Sequence, residues 1–331
     1  MSVFPTKILL ATDGSEDAAQ ATGAAADLAS KSGSELHVLH VWHDVPGPYR
    51  HGFVKRELRR QGQEILDEQV QKIESTGCTV TPAQIRGGRT SDEVIKLSEA
   101  LGVGLLVVGS RGLGTVRRIL MGSHSEEIVH HSHVPVLVVR RGDAAWPPER
   151  VVVGEDFSDD ARKAGELAAS IAGLYEAEVV LIYSHPDLPE VPPGEARDAA
   201  VQEMGDIRSR DEERLESRAD ELAEIAGSRP QTRVSDDYPA TVILAATHEG
   251  SKPPLVAVGS RGLAGITRTR LGSVSTKVVS QAARGPVLVY RHRRKLNATG
   301  TFALSETINR LPVKNPGVHC FTRGSHEAPA R

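Results

Sequence analysis

Residues 107–128 read VVGSRGLGTVRRILMGSHSEEI, and this stretch decides how the chain is built. An apolar run ends at Gly109, a glycine-bearing loop follows, and Gly122-Ser123 opens a helix. Glycine makes turns. It also lets backbone N–H groups approach something bulky and anionic, because it has no Cβ and the start of a helix presents unbonded N–H groups. Both readings stand until the rest of the chain is considered.

The stretch returns as VAVGSRGLAGITRTRLGSVSTKV at 256–278. Gly109, Gly112, Gly122, Ser123 and Ser125 recur as Gly259, Gly262, Gly272, Ser273 and Ser275, each displaced by 150 residues without a gap. The two halves also open alike, KILLATDGS at 7–15 and RVVVGEDFS at 150–158, which places Asp156 opposite Asp13. Ala18, Ala21, Ala25 and Leu28 then match Ala161, Ala164, Ala168 and Ile171, the apolar stripe of an amphipathic helix. Each half closes alike, VPVLVVR at 134–140 and GPVLVYR at 285–291. Two tandem domains follow, 1–145 and 146–293, with AAWPPE at 144–149 as the linker. Residues 294–331 match neither repeat and carry no sustained periodicity, so a mobile tail is expected there.

Within half one, strands are expected at 8–12, 36–42, 80–85, 105–109 and 135–139, and helices after Ser15 and at 54–75, 91–101 and 123–132. The strands are short, continuous and apolar, as strands buried on both faces of a parallel sheet are. Alternating strands and helices give an α/β class, here two Rossmann-like domains, each a five-stranded parallel sheet with helices on both faces. Half two repeats the order, with a highly charged helix at 198–226.

Composition excludes several functions. The net charge of −3 offers no basic field for nucleic acid or an anionic membrane, and aromatics make up only 4% of the chain. Cys78 and Cys320 make neither a disulfide framework nor a zinc ribbon. MSVFPTKILLATDGS holds too short an apolar run for a signal peptide, and no run reaches membrane-spanning length, so a reducing cytoplasm is the expected setting. His37, His40 and His43 lie at spacing three along a strand, where side chains alternate between faces, and are not expected to form one ligand set. The His130, His131, His133 group suits a helix C-terminus, and the Glu/Arg run at 203–221 reads as a solvated helix.

Known phosphate loops separate cleanly. A Walker A loop, G-x4-G-K-[ST], is absent, and the first strand leads to Asp13-Gly14-Ser15 instead of G-x-G-x-x-G. What stands here is Gly-x2-Gly-x9-Gly-Ser after the fourth strand, twice, with an aspartate closing the first strand each time. In this the chain resembles the universal stress protein family in its tandem, ATP-binding form, over about residues 5–142 and 149–291. The resemblance implies ATP, carried with Mg2+, at the carboxyl ends of the strands, in a stress-response regulator. Asp13 would hold the ribose or adenine side and the backbone near Val41 the adenine edge. Gly109, Gly112, Gly122, Ser123 and Ser125 would wrap ribose and phosphates, with Asp156, Gly259, Gly262, Gly272, Ser273 and Ser275 as counterparts. It also implies that the two halves pair through their fifth strands within one chain; pairing of two whole chains is left open.

The bland alternatives are glycine turns, a plain Ser123 cap, an Asp13 that merely caps the first helix, and solvated Arg117 and Arg118. Departures fall mainly in half two: Phe157 stands opposite Gly14, Ser184 opposite Val41 and Arg270 opposite Leu120. Half one is therefore expected to bind more strongly. A slow ATPase on the same scaffold is a rival reading, although no general base or Walker-type carboxylate is evident. A nucleotide-free pairing module is a third.

Overall fold

A computed structural model describes residues 4–43, 52–110, 122–140, 146–185, 195–261, 271–282 and 285–291; the tail at 294–331 lies outside them. Half one runs β1 (Lys7–Ala11), α1 (Glu16–Ser32), β2 (Glu35–Trp42), α2 (Gly52–Glu74), β3 (Gln84–Gly87), α3 (Thr90–Leu101), β4 (Leu105–Gly109), α4 (Ser123–His131) and β5 (Val136–Val139). Half two repeats it as β6 (Arg150–Glu155), α5 (Asp159–Tyr175), β7 (Glu178–Ser184), α6 (Glu195–Ala226), β8 (Gln231–Ser235), α7 (Pro239–Ala246), β9 (Leu255–Gly259), α8 (Ser273–Gln281) and β10 (Val287–Tyr290).

Local chemistry sets the helix limits. The Ser15 hydroxyl accepts the Ala18 N–H and caps α1, and Ser158 does the same for α5 through Ala161. Gly33, at φ 71°, ends α1 in the left-handed conformation that glycine takes without a Cβ clash. The third strand begins later than 80–85; Val80 makes only an isolated bridge to Leu36. QIRG offers no apolar signal, because β3 is an edge strand and only half-buried.

The ten strands form one sheet in the order β3-β2-β1-β4-β5-β10-β9-β6-β7-β8. Pairs within each half are parallel, while β5 and β10 pair antiparallel, Leu137 opposite Leu288. Two apolar edges that would otherwise be open to aggregation thus cover one another. Side chains alternate across the sheet: Ile8 and Leu10 join a core with α1, α2, α5 and α6, and Leu9 joins the opposite core with α3, α4, α7 and α8. In each half the chain starts mid-sheet and builds outward in both directions. The connections from β1 and β4 therefore leave towards opposite faces, and a crevice opens between their carboxyl ends, where open α/β sheets bind ligands.

Candidate functional site

A cavity of about 590 Å³ lies at the carboxyl ends of β1, β2 and β4 in half one. Asp13 follows β1, Val41 and Trp42 end β2, Gly109 ends β4, and Gly122 and Ser123 open α4; all line the cavity. The α2 helix closes one side with Leu58, Gln61, Gly62 and Ile65, and α3 contributes Val94. The Trp42 ring lies over Gly87, where a Cβ would come within 2.3 Å of it.

The loop residues are held in place by their own bonds. Asp13 Oδ1 accepts the Ser15 N–H at 3.1 Å in a local turn, so Ser15, not Asp13, caps α1. Gly122 is the N-cap of α4 and donates its N–H to Ser110 O at 2.8 Å. Ser125 points inward and donates its hydroxyl to Gly109 O at 2.8 Å, which ties α4 to the end of β4 and commits that proton. Ser123, by contrast, is exposed at the first helical position. Gly112, Arg111, Arg117, Arg118 and Leu120 lie outside the described residues, as do Gly262 and Arg270.

Histidines contribute more than their strand spacing foretold. His40 and His43 both line the cavity, because β2 ends at Trp42 and strict alternation ends with it. His37 is elsewhere, near Glu35. The His40 Nδ1 stands 3.0 Å from Thr12 O, and burial holds its pKa below the ordinary value despite that bond. His124, unremarked between Ser123 and Ser125, also lines the cavity, with its ring centroid 5.3 Å from that of His43. Burial first, then His43, lowers the His124 pKa. Glu127 is held below the usual carboxylate range by the Ser91 hydroxyl and by Arg89. No group of three His, Cys, Asp or Glu among the described residues could hold a metal ion.

Half two keeps the glycine framework. Ser275 donates to Gly259 O at 2.6 Å, and Gly272 donates its N–H to Ser260 O at 2.8 Å. Asp156 Oδ1 takes the Ser158 N–H as Asp13 takes that of Ser15. Ser273 follows the Gly272 cap as Ser123 follows Gly122. The crevice itself is differently furnished. Phe157 adopts φ 61°, the conformation of Gly14 at φ 77°, but carries a ring. That ring lies 4.9 Å from Tyr183, the counterpart of His40, and the Arg214 guanidinium stacks on it at 3.9 Å. In half one the residue facing Gly14 is Ile65. Tyr183 donates to Asp211 at 2.8 Å, and burial, then that bond, raises its pKa. Beneath, Glu155 is buried, accepts the Asp156 and Phe157 N–H groups, and stands 3.5 Å from Arg218 Nε; burial pushes its pKa up.

The α2 and His124 contributions escaped sequence reasoning. Nothing in the sequence tells which turn of α2 meets β2. His124 did carry a signal: its counterpart 150 residues on is Val274, the single change within GSHS and GSVS.

The sequence model described as "Universal stress protein family" matches residues 5–140 and 148–291. A universal stress protein of Mycolicibacterium smegmatis is 31% identical over 299 residues, covering 86% of this chain and 97% of its own. One of Thermus aquaticus is 32% identical over 133 residues, covering 40% of this chain and 97% of its own. Among solved structures, a universal stress protein from Archaeoglobus fulgidus superposes with a TM-score of 0.61 at 27% identity, covering 87% of this chain and 98% of that one. No described helix is long and apolar enough to cross a membrane.

Proposed function

This chain belongs to the universal stress protein family, and from that premise we propose that half one is a receptor for an adenine nucleotide, ATP foremost, while half two is its structural partner. The observation that carries the proposal is the half-one cavity: one open space brings Asp13, Val41, Gly109, Gly122 and Ser123 together at the switch point of the sheet. Apolar walls from Val41, Ile65 and Val94 suit a planar base. Asp13, at the end of β1, would hold the ribose side of the nucleotide. The N-terminus of α4, a nine-residue helix, offers N–H groups and a favourable dipole to phosphate. Asp13 is the only carboxylate among the described lining residues, so Mg2+ would arrive on the nucleotide phosphates and not in a protein cage. Occupancy of this site would be the signal that a stress-response partner reads.

Half two supports the complementary role. The Phe157 ring packs against Tyr183 and under Arg214, where half one has Gly14 beside Ile65, and His40 and Ile65 line the cavity. Its remaining function is to supply β10 to β5.

Calorimetric titration with ATP and Mg2+ tests the assignment in the intact chain and in Gly122→Val. The Gly122 backbone, φ −73° and ψ 150°, is one that valine adopts, and the side chain would enter the proposed phosphate space. Affinity is expected to fall about a hundredfold or more, about 2.8 kcal/mol. Undiminished affinity in the variant would refute the loop assignment.

A further inference from the structure

We infer that His43 and His124 form a titratable pair that recognises the phosphate chain in the half-one cavity, so that nucleotide binding takes up a proton. The inference rests on the nucleotide reading above and adds to it the residues that sense phosphate charge. Among the described residues lining the cavity there is no lysine or arginine; the ionisable side chains are Asp13, His40, His43 and His124. His40 is engaged with Thr12 O and forms part of the wall. His43, just past β2, is exposed, and His124, in the first turn of α4, meets it ring to ring at 5.3 Å with 33° between planes. The Nδ1 of His124 is buried and has no hydrogen-bond partner among the described residues.

The groups around His124 hold its pKa below the ordinary histidine value in the free protein. Asp13, beyond β1, and Glu127, one turn along α4, favour the imidazolium. Burial, His43 and Arg89 oppose it, and Glu127 is already engaged by Arg89 and Ser91. From α2, the lining side chains Leu58, Gln61 and Ile65 are uncharged. The positive end of the α4 dipole further disfavours a cation. A polyphosphate entering this space brings several negative charges and reverses the balance, because an anion within about 4–6 Å favours the charged imidazole. The pKa then rises on binding, and one proton is taken up between the free and bound values. Half two, with Val274 at the corresponding place, lacks the device, so a histidine is not a requirement of this helix start.

The test is calorimetric titration of the full chain with ATP and Mg2+ at about pH 6, 7 and 8, in buffers of different ionisation enthalpy. It is run on the native chain, His124→Gln, His43→Gln and the double variant, with adenosine as a phosphate-free ligand. Comparing proteins at each pH cancels the proton chemistry of ATP itself. The native chain should lose about tenfold more affinity for ATP between pH 6 and 8 than the double variant, with up to one additional proton taken up. Adenosine affinity should be independent of pH in all four. His43 is exposed, so its variant tests the pair even where a change at His124 disturbs folding. If ATP binds all four proteins with the same pH dependence and proton uptake, the pair does not sense phosphate and the inference is overturned. If ATP binds none of them at any pH, the nucleotide reading falls and takes this inference with it.

Discussion

Gly14 and Phe157 occupy the same left-handed turn of the two halves, one without a side chain and one with a ring. The Gly14 φ of 77° matches the 61° of Phe157, so phenylalanine is tolerated by this turn in the same chain. A Cβ on Gly14 would lie 2.8 Å from Ile65 Cγ2, at the cavity wall. Gly14→Phe should therefore convert half one towards the packing of half two and lower ATP affinity about a hundredfold or more, about 2.8 kcal/mol, as read by calorimetry. His40 carries a second consequence at this scale. Burial lowers its folded pKa beneath the unfolded value of about 6.5, so below that value the unfolded chain takes up a proton that the folded chain refuses. Stability is whole above the unfolded pKa and is lost as pH falls beneath it. Thermal midpoints measured from about pH 8 to 5 should decline at the acid end, and less so in His40→Gln. The Gly14–Phe157 difference was legible in the sequence, because the repeats align there without a gap. The sharing of a cavity by His40, His43 and His124 was not, because it depends on where β2 stops and how α4 docks.

Among the elements, the central strands and the long helices, including the charged α6, were legible, and the edge strand was not. The central strands β4 and β9 are fully buried, and β1 and β6 each carry a buried apolar run of three residues. The edge strand β3 was misplaced, since one covered side leaves little pattern to read. The α6 helix read as a solvated charge run, and most of it is. Asp211 and Arg218 are exceptions: Asp211 is buried and accepts from Tyr183, and Arg218 is only 3% exposed and faces Glu155, whose side chain is wholly buried. The counterpart of Arg218 in α2 is the buried Gln69, bonded to Thr22. Arg218→Met would leave the Glu155 carboxylate buried without a cation, and such losses cost about 3–5 kcal/mol. Urea denaturation should show the midpoint fall accordingly, and a change within error would mean that Glu155 is already neutral at pH 7.

On the scale of the whole molecule, the two halves are bound by reciprocal contacts around the β5–β10 pair. Arg140, after β5, donates to Val279 O in α8, and Arg291, after β10, donates to His130 O in α4 at 2.8 Å. Asp27 of α1 accepts from Trp146 Nε1 at 3.0 Å and from Tyr175 Oη of α5 at 2.6 Å. If the edges pair this way in solution, amides of 136–139 and 287–290 exchange slowly with solvent deuterium, and Leu137→Glu makes them fast or aggregates the protein. The central claim concerns stoichiometry: two related halves, one nucleotide. Native mass spectrometry of the intact chain titrated with ATP and Mg2+ measures it directly. The expected result is one nucleotide per chain, lost in Gly122→Val and kept in Gly272→Val; two nucleotides of equal affinity, or one that survives Gly122→Val and disappears in Gly272→Val, would contradict the account.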